Sequence, residues 1–488
     1  MATYVWLRDR RASALAKGSL GVPVIAEPQA GAFRFPGAGA DAGTTADAIV
    51  VPWSTSAGYS RRTCDPIGIG SDVWVLRDGP IPEDWAECLS MHGIPAADEA
   101  REPPDVREWA YGWIVPVFHL ASLGVWQTTS LPEDRSCPEP LLGGMSRLKP
   151  SLGQGLAAKA ERMAIRAVYA LGLDIGTMLV GMREGVMRVL KAWPGVPGTT
   201  EIGLEFAQAV QQFDRAWREE RARGEPAALG ADPEFVVRAG DGRVVPGERF
   251  AGKRGEFGCD AVSLPGGRII YPLLELRPEP STEPLRVVAH LRRTMLLARE
   301  RIGDESLEWL AGGMPVKGLP LGGHVHFGGM WLQSRFLRTL DRFLAVPLLL
   351  VEDERSRMRR PRFGALGDFR RQPHGFEYRT LSSWLPSPRV TKAVFALARL
   401  LADGYLALPP DPDGRDGDRS WHEAFYRGDK ERLRPFSLQG WERLRALPGY
   451  APLAEWIEPL REMVAAGQSW DDQRDFRRAW RIPPFHMV

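Results

Sequence analysis

Residues 322–329 read Gly322-Gly323-His324-Val325-His326-Phe327-Gly328-Gly329, or GGHVHFGG. In an extended strand, residues i and i+2 point to the same face. His324 and His326 therefore share one surface, while Val325 and Phe327 share the other. Glycine pairs bound the segment at both ends, as expected where a strand starts and stops. Imidazole is the commonest metal ligand, and two on one strand face suit a divalent ion.

Three other stretches repeat this pattern. Asp232-Pro233-Glu234 lies in GADPEFVV, Glu275-Leu276-Arg277 in IIYPLLELRPEP, and Glu377-Tyr378-Arg379 in HGFEYRTLSS. Each reads as a half-buried strand with two ionisable groups on one side. Alone, an Asp-x-Glu pair is an ordinary solvated face and a Glu-x-Arg pair an ordinary ion pair. If the four strands share one sheet, its polar face carries Asp232, Glu234, Glu275, Glu377, both histidines, Arg277 and Arg379. Four acids against two arginines repel one another unless cations sit among them, and oxygen-rich sites suit Mg²⁺ or Mn²⁺. Asp260, in GEFGCD, is a further candidate acid. Arg355, Arg357, Arg359, Arg360, Arg362, Arg370 and Arg371 fall within 17 residues. Arginine pairs bidentately with phosphate and carboxylate, so an acid–histidine cluster beside it suits phosphoryl chemistry.

The rest of the chain sets bounds on this reading. Its 488 residues predict two or three domains. Lys and Arg number 63 against 61 Asp and Glu, a balance of +2 that argues against a general nucleic-acid binder. Cys64, Cys88, Cys137 and Cys259 form no CxxC pair, which fits a reducing, cytoplasmic setting. The first residues, MATYVWLRDRRAS, hold no apolar core of a signal peptide. Residues 110–132 carry no charge, but Pro116, Gly112 and Gly124 break them, so they read as two buried strands parted near Leu120 to Gly124 rather than a membrane span. Ala48 to Trp53 and Val73 to Leu76 read as strands, and Ala96 to Asp105 as a loop. Leu156 to Leu171 is an amphipathic helix and Val186 to Leu190 a short strand. Phe206 to Arg223 is a charged connecting helix. Further helices are expected over 283–301, 331–353 (kinked or ended by Pro347) and 390–406. Two domains follow, 1–200 and 225–488, the second ending in a helical extension over about 407–488. There Trp421, Trp441, Trp456, Trp470 and Trp480 are candidate packing anchors.

Taken in order, residues 230–388 resemble the glutamine synthetase-like and glutamate–cysteine ligase-like carboxylate–amine ligases. The succession GADPEF, ELRP, GGHVHFGG, arginine segment, FEYRT resembles most specifically the amidoligase family called COOH–NH2 ligase type 2 of phages and bacteria. The resemblance implies an α+β fold, with a curved antiparallel sheet and packed helices. It also implies an ATP-dependent ligase that joins a carboxylate to an amine through an acyl phosphate, with ATP and Mg²⁺ or Mn²⁺ as cofactors. Asp232, Glu234, Glu275, His324 and Glu377 match metal ligands, with Asp260 as another; His326 matches a residue near the nucleotide phosphates. Arg379 matches the arginine that positions substrate or phosphate, and Arg360, Arg362 and Arg370 lie where phosphate-binding arginines are expected. Asp232 is a departure, since glutamine synthetases carry Glu there. Residues 105–195 resemble the end of an ATP-grasp domain, here without its usual Glu and Asn ligands, which implies a degenerate α/β scaffold ahead of the ligase domain. A metal-dependent phosphotransferase of the same fold, or a non-catalytic nucleotide-binding relative, is the alternative. The implied partners are a small-molecule or peptide carboxylate and an amine, with no nucleic acid and no membrane; a homo-oligomer is allowed.

Overall fold

A computed structural model describes residues 2–7, 22, 24–25, 48–53, 73–97, 109, 111–128, 138, 142–143, 145–148, 155–263, 267–408 and 419–483. Cys64, Cys137 and most of the loop read over 96–105 lie outside these residues. The chain divides into two compact units: Met1–Ala222 with Pro409–Asp418, and Arg223–Leu408 with Arg419–Val488.

In the first unit, β1 (Ala2–Leu7), β2 (Val24–Ile25), β3 (Ala48–Trp53) and β4 (Val73–Val75) form a parallel sheet of order β2-β1-β3-β4. A second, antiparallel sheet follows. It comprises β5 (Tyr111–Phe118), β6 (Ala121–Ser122), β7 (Val125–Thr128), β8 (Ser146–Leu148), β9 (Ile175–Arg183) and β10 (Val186–Pro194). Its order is β10-β9-β5-β7-β8, with β6 on β5. Within the uncharged stretch, the described residues 111–128 thus form strand, turn and strand, as expected. His119 and Leu120 take left-handed conformations (φ 43° and 63°) to reverse the chain. β10 runs past the expected end at Leu190 because a bulge between Val189 and Lys191 lets pairing resume. The helix Gly155–Ala170 lays Ala160, Ala164, Ala167 and Val168 into the core beside Val115, Met178 and Val180; small side chains at helical spacing let it lie close to the sheet. The helix Thr200–Arg221 starts on Thr199, whose hydroxyl accepts from the Ile202 amide at 3.3 Å.

The second unit holds β11 (Ala228–Arg238), β12 (Val244–Val245), β13 (Phe257–Ser263), β14 (Ile269–Leu276), β15 (Glu308–Leu310), β16 (Gly323–Gly328), β17 (Phe369–Gln372) and β18 (Gly375–Tyr378). The order is β13-β14-β11-β16-β18-β17, with β12 and β15 also on β11, and every pairing is antiparallel. All four sequence-read strands therefore belong to one sheet, and the fold is α+β. Its apolar face is fully buried: Phe327 and Phe376 stack at 5.2 Å, both edge-on to Phe336 of the helix Ser334–Leu340. Helices Pro284–Ile302 and Pro388–Gly404 each place proline in the first turn, where no amide hydrogen is needed.

The helix expected over 331–353 is instead two short helices, Ser334–Leu340 and Val346–Val351, joined by a π-turn, Asp341–Ala345. Pro347 cannot donate to the carbonyl four residues back, and the wider turn absorbs that loss. Asp341 in this turn is buried and accepts from Tyr378 Oη at 2.6 Å and the Gly367 amide at 2.9 Å. The C-terminal helices bury Trp441, Trp470 and Trp480, while Trp421 and Trp456 are half-buried. Among the described residues no helix is long and apolar enough to cross a membrane.

Candidate active site

Strand register decides which side chains meet. Asp232 of β11 lies opposite His324 of β16, and Glu234 opposite Glu275 of β14. His326 lies opposite Glu377 of β18, which in turn faces Arg370 of β17. Directly opposed residues share a face. Asp232, Glu234, Glu275, His324, His326, Glu377 and Arg370 therefore stand on one surface. Pro233 falls where β11 ends its ladder with β16 and begins pairing with β14, so its missing amide hydrogen costs little.

Geometry at the centre is tight. His324 Nδ1 lies 3.0 Å from Asp232 Oδ1 and 3.2 Å from Glu377 Oε1, and His326 Nε2 lies 3.1 Å from Asp232 Oδ2. Glu377 is fully buried; it meets Arg379 through Oε1 and, through Oε2, Arg370 at 3.4 Å and Gln372 Nε2 at 3.1 Å. Glu234 accepts from the Gly322 amide at 2.7 Å, and its own carbonyl accepts from Ser383 Oγ at 2.7 Å. Glu275 is held by Arg277. Gly322 is glycine for a steric reason: a Cβ there would stand 2.3 Å from His324 Nε2.

These neighbours set the charges. Burial pushes Glu275 up to about 9, aided by the nearby Asp232 carboxylate and only partly countered by Arg277. Burial also raises Glu234, against the pull of His324 and the Gly322 amide. Burial alone would raise Asp232, but His324 and His326 outweigh it and hold the carboxyl well below the usual range. For His324 burial works against the charge, and Asp232 more than restores it, so its pKa rises.

Asp232, His324 and Glu377 each offer a ligand atom, and these atoms lie within 4.8 Å of one another. Asp232 Oδ1, His324 Nδ1 and His326 Nε2 are buried without a well-aligned hydrogen bond. Buried polar atoms are normally satisfied, and a carboxylate–imidazole set so arranged fits a divalent cation such as Mg²⁺ or Mn²⁺.

The remaining candidates divide. Asp260 is exposed on β13 and accepts from the Ala261 amide at 2.7 Å; it is outside the trio, although its charge adds to the rise of Glu234. Arg360 is buried and gives both terminal nitrogens to Glu352, at 2.9 and 2.8 Å, with its guanidinium over Phe425. The structure thus places Arg360 in its own ion pair rather than among the acids. Arg362 is exposed over the Phe363 ring. Gln372, Ser383 and Gly322 touch the cluster as well. So does His374, whose ring stacks on His326 at 5.8 Å. The glycine pair flanking the histidines was a visible signal for Gly322; a lone Gln or Ser carries none.

No curated protein sequence matches the chain. Among solved structures it is similar to a bifunctional glutathione synthetase from Pasteurella multocida (11% identity, TM-score 0.32, covering 52% of this chain and 51% of that one). The chain therefore spans about half the length of that protein. It is also similar to the ATP-grasp ligase PsnB complexed with minimal precursor (12% identity, TM-score 0.27, 43% and 99% covered) and to a novel glutamine synthase homolog (15%, TM-score 0.26, 55% and 73% covered). At such scores these likenesses carry no argument about chemistry. A family profile described as phage phiEco32-like COOH.NH2 ligase-type 2 matches residues 229–482, which hold the whole of the β11–β18 sheet except Ala228. With just over half its length matched, the chain belongs to this COOH–NH2 ligase family.

Proposed function

We propose that the protein couples ATP cleavage to joining a carboxylate and an amine through an acyl phosphate, and that the β11–β18 sheet face is where this happens. The observation that carries the reading is the convergence of Asp232, His324 and Glu377 from three strands inside the family-matched segment. Asp232, His324 and Glu377, flanked by Glu234, Glu275 and Asp260, would hold Mg²⁺ or Mn²⁺, which when bound supplies neutralising charge to the ATP phosphates.

The chemistry asks for no protein nucleophile. A substrate carboxylate oxygen attacks the γ-phosphorus of ATP, the bond to the β–γ bridging oxygen breaks, and ADP leaves. The amine then attacks the acyl carbon, the bond to the phosphate oxygen breaks, and the amine gives up a proton as phosphate departs. Arg370 and Arg379 flank Glu377 and stabilise charge on the transferred phosphoryl group; His326 faces the nucleotide phosphates, and Arg362 is an exposed guanidinium further out on the same segment. Arg360, bound to Glu352, has a structural role in this scheme. A cytoplasmic setting belongs to the same reading, since the four cysteines form no CxxC pair and suit a reducing compartment.

The test is Mg²⁺-dependent phosphate release from ATP with pools of carboxylates and amines, alongside Glu377→Gln and product mass. Release that needs both substrates, yields an amide and is lost in the variant is the expected result. Phosphate transfer without amide formation would move the protein to the phosphotransferase reading; release unchanged in Glu377→Gln would displace the site.

A further inference from the structure

Glu275 has a counter-ion of its own that no step above employs. Arg277, just beyond β14, meets Glu275 Oε2 through Nη2 and donates from Nη1 to the Gly255 carbonyl at 3.1 Å. Its backbone amide donates to the Glu256 carbonyl at 2.7 Å. The guanidinium therefore lies across β13, where Gly258 faces Glu275. A Cβ at Gly258 would stand 2.2 Å from Arg277 Nη1, so any larger residue would evict the group. The Arg277 side chain is 32% exposed, while Glu275 is buried.

We propose that Arg277 is an internal competitor for the cation site. Its guanidinium occupies Glu275 in the cation-free protein and must swing off that carboxylate before a divalent ion can use it. The inference rests on the metal reading above. Arginine keeps its charge at every accessible pH, so its hold on Glu275 does not depend on its own titration. The guanidinium is solvated on one side, and an incoming divalent ion replaces at the buried Glu275 the charge that it withdraws. Eviction opens the β13 rim toward the Gly252–Gly255 loop, while the buried acids stay where strand register fixes them.

Mn²⁺ binding, followed by the electron paramagnetic resonance of the free ion and without substrates, tests this. Arg277→Gln removes the competitor and is expected to tighten Mn²⁺ by about three- to tenfold. Gly258→Ala keeps the arginine but displaces it, and is expected to tighten Mn²⁺ by a smaller factor; thermal unfolding checks that both variants fold. Unchanged or weaker Mn²⁺ binding in both folded variants overturns the proposal. Glu234→Gln and Glu377→Gln separate the two ideas. If they weaken Mn²⁺ while Arg277→Gln has no effect, the site stands and the competitor falls. If they leave Mn²⁺ untouched, or if neither wild type nor Arg277→Gln binds it, the metal reading fails and the competitor with it.

Discussion

Adding one methyl group at Gly322 should disable the site while leaving the sheet intact. Gly322 is buried, and alanine is compatible with its backbone, which is not left-handed. The new Cβ would lie 2.3, 2.8 and 2.9 Å from three atoms of the His324 ring. Carbon contacts settle at about 3.5–4.0 Å, so the imidazole must retreat by roughly 1 Å. It has little room: His324 is 6% exposed and held between Asp232 and Glu377. Overpacking of this kind costs about 1–3 kcal/mol, and a 1 Å misplacement of a catalytic constellation can cost about a hundredfold in rate. Gly322→Ala is therefore expected to lose about 1–3 kcal/mol in urea unfolding and about two orders of magnitude in turnover, with weaker Mn²⁺ binding. Adding His324→Ala removes the clash, so stability should recover while turnover stays low. Wild-type Mn²⁺ affinity and turnover in Gly322→Ala would refute the placement of His324.

Gln372→Ala removes the amide that holds Glu377 Oε2; Mn²⁺ affinity is expected to fall about tenfold, measured by the same resonance titration, with unfolding little changed. Asp472 makes stability pH-dependent: burial pushes its carboxyl up to about 7, partly opposed by the Met314 amide and Trp470 Nε1. The folded form then holds a proton that the unfolded chain releases near pH 4, so stability falls as pH rises through that window, by about 2–3 kcal/mol between pH 5 and 7. Urea unfolding at both pH values reads this, and Asp472→Asn should flatten the slope; an equal slope in the variant would show that another group carries it.

The sheet was legible because a two-residue period says which face a side chain takes. GGHVHFGG, ADPEF, ELR and FEYR each announce a polar and an apolar side, and the apolar sides meet in the Phe327–Phe376–Phe336 packing. Register is a different matter. Asp232 meets His324 because β11 and β16 are neighbours, a pairing between strands far apart in sequence that no local pattern encodes. The arginine run shows the same limit. Arg360 and Arg370 look alike in sequence, yet one follows a 3₁₀ turn back onto Glu352 and the other sits in β17 opposite Glu377. The π-turn at Asp341 to Ala345 was also hidden. A helical period and Pro347 announce a break, but the buried bond from Tyr378 Oη to Asp341 fixes where the wider turn falls.

Three kinds of positive charge neutralise the acid cluster, each exchangeable. Arg277 and Arg379 cover the outer carboxylates, Glu275 and Glu377. His324 and His326 cover Asp232 at the centre. Burial raises Glu234 and, against the pull of Arg277, pushes Glu275 up to about 9, so a proton is the third charge. None of these is a permanent bond, and on the proposed metal reading each would yield to a divalent ion: the guanidinium by turning outward, the imidazole by trading a proton for the metal, and the carboxyl by ionising. The structural cost of gathering four buried acids is met by the opposite face of the same sheet, where Phe235, Val325, Phe327, Phe376 and Tyr378 are completely buried. Stability thus resides on the apolar side, and the proposed chemistry is assigned to the polar side. Single substitutions among the acids should accordingly change cation affinity far more than they change folding.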